Sequence, residues 1–269
     1  MNTQLIKTRL IETIGEKPTA FLQALRFVYL IKTKSKMDPE ISLLPKLLKK
    51  GDTTIDVGAN GADWTYWLHI NVGSSGMVYA FEAEPYYATA TDLAIKLLRL
   101  KGVRLFPYGL SDAEGEVALR VTDPKGLRLT GESHIDRNSS GENFGVKRVK
   151  VKPLDSFIDD LPGLARTKLI KCDVEGYELF VFRGAVEVLD SSRPFVILET
   201  GNYEMQGYSG KDIFDFFHRR EYVPFSMIGD NALARTNTAM GHEKAISVNR
   251  VLVPEERLSN VQDRIRMVN

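Results

Sequence analysis

The chain opens with apolar residues at helical spacing, Leu22, Leu25, Phe27 and Leu30, then Ile41, Leu44 and Leu47, with the polar "KTKSKMDPE" between the two sets. Residues 1–50 therefore read as a helical N-terminal extension. From residue 51 the rhythm changes. "TTIDVG", "GMVYAFEAE", "VRLFPYGLSD", "KLIKCDVEG" and "PFVILETG" are short, nearly continuous apolar runs, and between them lie the helix-like "WTYWLHI", "YYATATDLAIKLLRLKG" and "YELFVFRGAVEVLD". Buried strands alternating with helices predict an α/β fold, a mostly parallel sheet with helices on both faces. "GEVALRV" and "VKRVKVKPL" alternate apolar and polar positions instead, around the glycine- and serine-rich "TGESHIDRNSSGENFG". They predict an inserted β-hairpin at about residues 112–152, carrying a mobile loop. Near the end "DIFDFFHRR" predicts a helix, and "YVPFSMI" with "ISVNRVLVP" an antiparallel edge pair that closes the sheet. Residues 51–269 are thus expected to form one domain, and no internal repeat interrupts it.

Composition changes this picture little. With 43% apolar and 26% charged residues in 269, the chain can bury a substantial core. A net charge of +1 gives no reason to expect nucleic acid or an acidic membrane surface, and leaves room only for a local basic patch. The single cysteine, Cys172, excludes an internal disulfide and fits a reducing compartment. "AFLQALRFVYLI" carries Gln23 and Arg26, is too short to span a bilayer, and has no signal-peptide pattern ahead of it. A cytoplasmic location is expected.

Candidate chemistry begins at "TTIDVGANGADWTYWL", where an apolar strand breaks into glycines and then a helix. Open α/β sheets bind ligands outside the carboxyl ends of their strands, and the first strand-to-helix turn brings backbone amides to bear on them. Gly58 would let the chain turn, while Gly61, Ala59 and Ala62 would let a ligand approach the backbone. Asp56 discriminates between ligands. A carboxylate entering the turn repels a pyrophosphate and favours a cationic amine, and Asn60 stands where G-x-G-x-x-G would want glycine. Glu82, ending the second strand, has the position of an acid that accepts hydrogen bonds from a ribose diol. A turn for a small cofactor, an acid for its ribose and an Asp beside its amine together describe S-adenosylmethionine.

"IDVGANGADWT", "VYAFEAEP", "LFPYGLSDAEGEVAL", "VKPLDSFI", "LIKCDVEGYELFVFRGA" and "FVILET" follow one another, over roughly residues 53–200, in an order that resembles the FkbM-type methyltransferases. The most specific piece, "KCDVEGYELFVFRGA", is similar to that family's K-x-D-x-E-G-x-E-x-x-x-x-x-G signature. The resemblance implies a class I methyltransferase (Rossmann-like) fold of seven strands with the last antiparallel. It also implies transfer of a methyl group from S-adenosyl-L-methionine, leaving S-adenosyl-L-homocysteine, to a hydroxyl of a sugar, glycan or natural product. Two departures are Gly61–Ala62, where the family has isoleucine then glycine, and "FEAEP" for "FEPxP", expected to loosen the cap of the following helix.

Carried over by position, Asp56, Gly58, Ala59 and Asn60 match the methionine-side turn and Glu82 the ribose carboxylate; Ser111 and Asp112 are candidates for the purine edge, and Asp155 for a helix cap. Asp173 and Glu175 fall beside the expected position of the transferable methyl, though either could instead satisfy amides at the start of the next helix together with Glu178. Methyl transfer is an in-line displacement that positioning can largely accelerate. A base adds to it by removing the hydroxyl proton, and Asp173, Glu175, Glu199 and His134 are the candidates. No metal is required; Asp173, Glu175 and Glu199 holding a divalent cation such as Mg²⁺ is the alternative. Trp64 and Trp67 are expected to pack the first helix, with Trp64 near enough to wall the pocket. The N-terminal helices are expected in the core or at an interface, with covering of the substrate crevice or pairing with a second copy as further roles. Two other classes stay open: an NAD-linked oxidoreductase, which the missing glycine fingerprint disfavours, and a non-catalytic S-adenosylmethionine-binding protein.

Overall fold

Thr53–Val57, buried along its whole length, forms the central strand β1 of a computed structural model that describes residues 3–35, 37–129, 133–135, 145–229, 232–236 and 241–268. Parallel to it run β2 (Met77–Phe81) and β3 (Val103–Phe106) on one side, β8 (Thr167–Cys172) and β9 (Phe195–Glu199) on the other. Three strands of the C-terminal part follow: β10 (Tyr222–Met227), β11 (Ala232–Arg235) and β12 (Asn249–Pro254), with the short β13 (Arg266–Val268) at the end of the chain. Among the described residues the sheet has nine strands in the order β13-β11-β10-β12-β9-β8-β1-β2-β3. The expected count of seven is exceeded because β11 and β13 pair on beyond β10. The antiparallel pair of β10 and β12 therefore lies inside the sheet and not at its edge, with β12 antiparallel to β9 as well.

The inserted segment is more than a hairpin. β5 (Gly115–Arg120) and β7 (Val146–Lys152) pair antiparallel, and β4 (Gly109–Leu110) and β6 (His134–Ile135) widen them to a four-stranded second sheet. Most of the loop expected to be mobile lies outside the described residues.

Helices cover both faces: α1 (Thr3–Ile14), α2 (Glu16–Thr33), α3 (Leu44–Leu47), α4 (Asp63–Val72), α5 (Pro85–Leu98), α6 (Glu178–Arg183), α7 (Val186–Ser192), α8 (Gly210–His218) and α9 (Leu258–Gln262). The stretch "YELFVFRGAVEVLD", read as one helix, breaks into α6 and α7 at Gly184, where the carbonyl of Ser111 fills the space a Cβ would need and only glycine fits. Asp155 caps α7, accepting from the amides of Glu187 at 2.9 Å and Val188 at 3.0 Å. In "FEAEP" Glu84 caps α5 through the amides of Tyr86 and Tyr87, both at 3.3 Å, so the cap is replaced and not loosened.

In the N-terminal extension Ile41, Leu44 and Leu47 are buried as their spacing predicts, but α2 packs against its hydrophobic pattern. The buried residues of α2 include Ala20, Ala24 and Ile31, with Ala20 set against Ala90 and Ala24 against Ala94 and Ile95 of α5, while Leu22 and Leu25 face outward. Small side chains let the two helices approach closely, as ridges settle into grooves. At its start α2 is tied down by ions: Arg128 pairs with Glu16 at 3.1 Å and with the buried Glu84 at 2.5 Å. Lys7 of α1 donates to the Tyr87 hydroxyl at 2.7 Å and sits over the rings of Tyr86 and Tyr87. Burial lowers Lys7 to about 7, Arg128 adding to the effect.

Candidate active site

The carboxyl ends of β1, β2, β8 and β9 open into one cavity of about 540 Å³, where open α/β sheets bind their ligands. Its floor is the turn after β1, Gly58 to Gly61, with Glu82 beside it; one wall is Asp173, Val174, Glu175 and Glu199; its roof comes from α2, through Arg26, Phe27, Leu30 and Ile31. The second sheet closes the remaining side with Leu119, Ser133 and Ile135.

Steric and hydrogen-bonding reasons explain the turn, and they are not those expected. Gly58 has φ 81°, and its missing Cβ makes room for the carbonyl of Asp173, so glycine is needed where the turns after β1 and β8 pack together. A Cβ on Gly61 would meet the Phe27 ring of α2 at 2.7 Å. The amides of Gly58 and Ala59 both donate to the Phe81 carbonyl at 3.0 Å, and that of Asn60 donates to Glu82 Oε2 at 2.9 Å. These three amides are committed to β2 and its end, so they are not free to cradle a ligand. Glu82 also accepts from the Glu84 amide at 2.8 Å through Oε1. Burial pushes its carboxyl up to about 7 despite both amide bonds. A carboxylate has about four acceptor positions, so Glu82 keeps capacity toward the cavity that it lines.

Four expected site residues stand outside this lining. Asp56 is fully buried behind the turn, and its Oδ2 accepts from the Thr65 hydroxyl of α4 at 2.5 Å. Burial raises it to about 6, and its work is to hold α4 on the sheet. Asp38 and Asp63 line the cavity together with Glu82 and Glu84. Burial pushes Asp63 up to about 7, with Asp38 and Asp56 adding repulsion, and Asp38 accepts from the Trp64 indole at 2.7 Å. Ser111 is buried against the Tyr177 hydroxyl at 2.9 Å, and Asp112 is exposed; Tyr108, Gly109 and Leu110 line the cavity in their stead. His134 lies between Ser133 and Ile135, both of which line the cavity, and alternation along the strand sends His134 to the other side.

Asp173 and Glu175 do reach the cavity, and Glu199 joins them. One carboxylate oxygen from each lies within 4.8 Å of the others, a set of hard donors of the kind a divalent cation takes. The amides after β8 are satisfied by Glu178, whose Oε1 accepts from Val174 at 3.0 Å and Gly176 at 3.2 Å, which leaves Asp173 free of the capping role. Burial raises the Glu199 carboxyl well above the usual range, and the charge and hydrogen bond of Asp173 raise it further. Beneath them Lys171, fully buried, stands 3.4 Å from Asp173 Oδ2 and donates to Asn249 Oδ1 at 3.0 Å. Burial alone would lower Lys171, but Asp173, Asp38 and Glu199 outweigh it and hold the amine charged. Glu175 is held at φ 55°, a left-handed conformation unusual for a side chain of its size, with its Oε2 accepting from Asn202 at 3.1 Å.

A cationic, amine-bearing cofactor suits this donor set: carboxyls crowd the cavity, Glu82 has lone pairs for a diol, and the buried Ser133 hydroxyl has no partner among the described residues.

An open, mixed α/β sheet with an acidic cavity at its switch point defines a Rossmann-like cofactor-binding class. Residues 56–224 match the family described as the Methyltransferase FkbM domain, and the chain belongs to it. The chain is 26% identical over 170 residues to "Methyltransferase 1" of Beauveria bassiana (strain ARSEF 2860), covering 54% of this chain and 68% of that one. Among solved structures it is similar to the FkbM methyltransferase of Methylobacillus flagellatus KT, at 15% identity and TM-score 0.48, over 91% of this chain and 60% of that one. It is also similar to a Streptococcus mutans protein in complex with S-adenosylhomocysteine, at 9% identity and TM-score 0.45, over 81% of this chain and 97% of that one.

Proposed function

We propose that the protein is an O-methyltransferase whose acceptor is a hydroxyl of a sugar, glycan or natural product, with Asp173 as the base. The observation that carries this reading is the carboxyl pair of Asp173 and Glu199 in the cavity wall, with the Lys171 ammonium beneath it. S-adenosylmethionine supplies a methyl group on a sulfonium centre, which a neutral hydroxyl attacks slowly unless its proton is taken as the bond forms. Asp173 accepts that proton from the acceptor oxygen. Lys171 and Glu199 hold the Asp173 carboxyl in one orientation, so less rotational freedom is lost on reaching the reactive geometry. Glu82 would accept from the ribose hydroxyls, and Asp63 and Asp38, which line the cavity where Asp56 does not, would hold the cofactor's amine. Phe27 and Leu30 from the roof exclude water. The cavity wall also favours uncharged acceptors: seven of its side chains are carboxyls and one, Arg26, is a cation, so a phosphate or carboxylate beside the base would be repelled.

Calorimetric titration with S-adenosylhomocysteine and NAD, followed by turnover with neutral sugars and glycans, tests this. Binding of NAD alone would return the site to the oxidoreductase class. Turnover that EDTA abolishes and Mg²⁺ restores would recast Asp173, Glu175 and Glu199 as cation ligands.

A further inference from the structure

The outer side of α2 is apolar where a solvated helix is polar. Phe21, Leu22, Leu25 and Tyr29 are 45%, 47%, 43% and 64% exposed. At helical spacing they fall in one stripe about 100° wide. On α1, Ile6, Leu10 and Ile14 form a second exposed row, each four residues from the next. The stripe is not the back of the pocket wall turned by chance: Phe27, Leu30 and Ile31 line the cavity, and Ala20 and Ala24 pack on the fold. Basic side chains border it. Residues 3–35 hold six lysines and arginines against two glutamates, in a chain whose whole net charge is +1; of the six, Lys7 is buried and Arg26 lines the cavity, which leaves Arg9, Lys17, Lys32 and Lys34 outside. One of those glutamates, Glu16, is already paired with Arg128 and Lys147. Arg9, Lys17 and Lys32 are exposed.

We propose that α1 and α2 form an interfacial anchor that lays the Phe21, Leu22, Leu25 and Tyr29 stripe into the surface of an anionic lipid bilayer, with Arg9, Lys17 and Lys32 at the headgroups. Two observations select this occupant. A symmetric pairing with a second copy would bring the same basic rim against itself, whereas anionic headgroups answer the stripe and the rim together. Tyr29 combines an apolar ring with a hydroxyl, the make-up of side chains that settle at the boundary of water and lipid. No described helix is long and apolar enough to cross a membrane, so the helices lie in the plane of the surface. Since the other side of α2 roofs the cavity, docking would set the cavity beside the bilayer. Binding of this kind does not depend on which acceptor is methylated.

Co-sedimentation of the full chain with phosphatidylcholine vesicles, and with vesicles that also contain phosphatidylglycerol, tests the anchor. Binding is expected to the anionic vesicles only, weakening as salt is raised. The double substitution Phe21→Ser with Leu25→Glu should lower the partition about tenfold to a hundredfold, from the apolar area no longer buried. Lys17→Gln and Lys32→Gln should each lower it about fivefold. All these variants should keep the rise in melting temperature with S-adenosylhomocysteine, which shows that they fold. Absence of binding to anionic vesicles overturns the proposal, as does binding that the stripe substitutions leave unchanged. A dimer in light scattering that Phe21→Ser with Leu25→Glu splits, without vesicle binding, assigns the stripe to a second copy and overturns it too.

Discussion

The carbonyl of Asp173 occupies the space that a Cβ on Gly58 would need. The turn after β1 and the turn that carries the proposed base are therefore one packed unit, and any side chain at position 58 separates them. Gly58→Ala combines that overlap with a φ of 81°. It should cost more than about 3 kcal/mol in urea unfolding and remove the thermal response to S-adenosylhomocysteine. Gly15→Ala is the control, since Gly15 has φ 88° but open space around it. With ψ 168° that conformation is one glycine alone adopts readily, so the change should cost about 1–3 kcal/mol and leave cofactor binding intact.

Glu82→Ala acts on fold and ligand together. The substitution leaves the amides of Asn60 and Glu84 without their acceptor, so a stability loss of about 1–3 kcal/mol is expected with a ten- to hundredfold loss of S-adenosylhomocysteine affinity. A strand-end acid in solvent would lose affinity alone. Calorimetry and urea unfolding on the same preparation separate the two.

Asp173→Asn should lower kcat about 10²- to 10⁴-fold while S-adenosylhomocysteine binding holds. His134→Ala should leave turnover near wild type, because the residues on either side of it, and not His134, line the cavity. The reverse pattern in steady-state assays would move the base to the second sheet.

Stability should fall as pH rises. Burial holds Glu178 at about 7, above its unfolded value near 4.5, so the folded state binds its proton more tightly. The resulting stabilisation is fully present below about 4.5 and is lost as pH rises through about 7, up to roughly 3 kcal/mol for this group. Glu178→Gln can still accept from Val174 and Gly176. Its melting temperature should vary less between pH 5 and about 8 than that of the wild type, as read by calorimetry of the ligand-free protein.

Strand period and the acids at strand ends were readable directly, because a buried parallel strand must be apolar throughout and the carboxyl ends of its strands open on the crevice. Glu82, Asp173, Glu175 and Glu199 were found in that way. The roof was not, since α2 buries alanines and exposes leucines, and hydrophobicity pointed away from the packed side. Phe27 over Gly61 and Arg128 on Glu84 are long-range contacts with no local signal. Asp56 misled for a related reason. A carboxylate before a glycine turn has the same spacing whether it meets a cofactor amine or a threonine on the next helix, and only the third dimension separates the two. His134 failed by one position, because the side of a two-residue strand is set by its partner.

The edges of the nine-stranded sheet have a colloidal consequence. At one end β3 offers only Val103–Phe106, with Arg104 exposed in its middle; at the other β13 offers three residues, beginning with the exposed Arg266. An unpaired edge invites another chain to continue the ladder, and the invitation grows with length and with uncharged surface. Edges this short, each bearing an arginine, make poor templates. The sheet can thus stay open at both sides, as its crossover topology requires, without recruiting its own copies into fibres or precipitates.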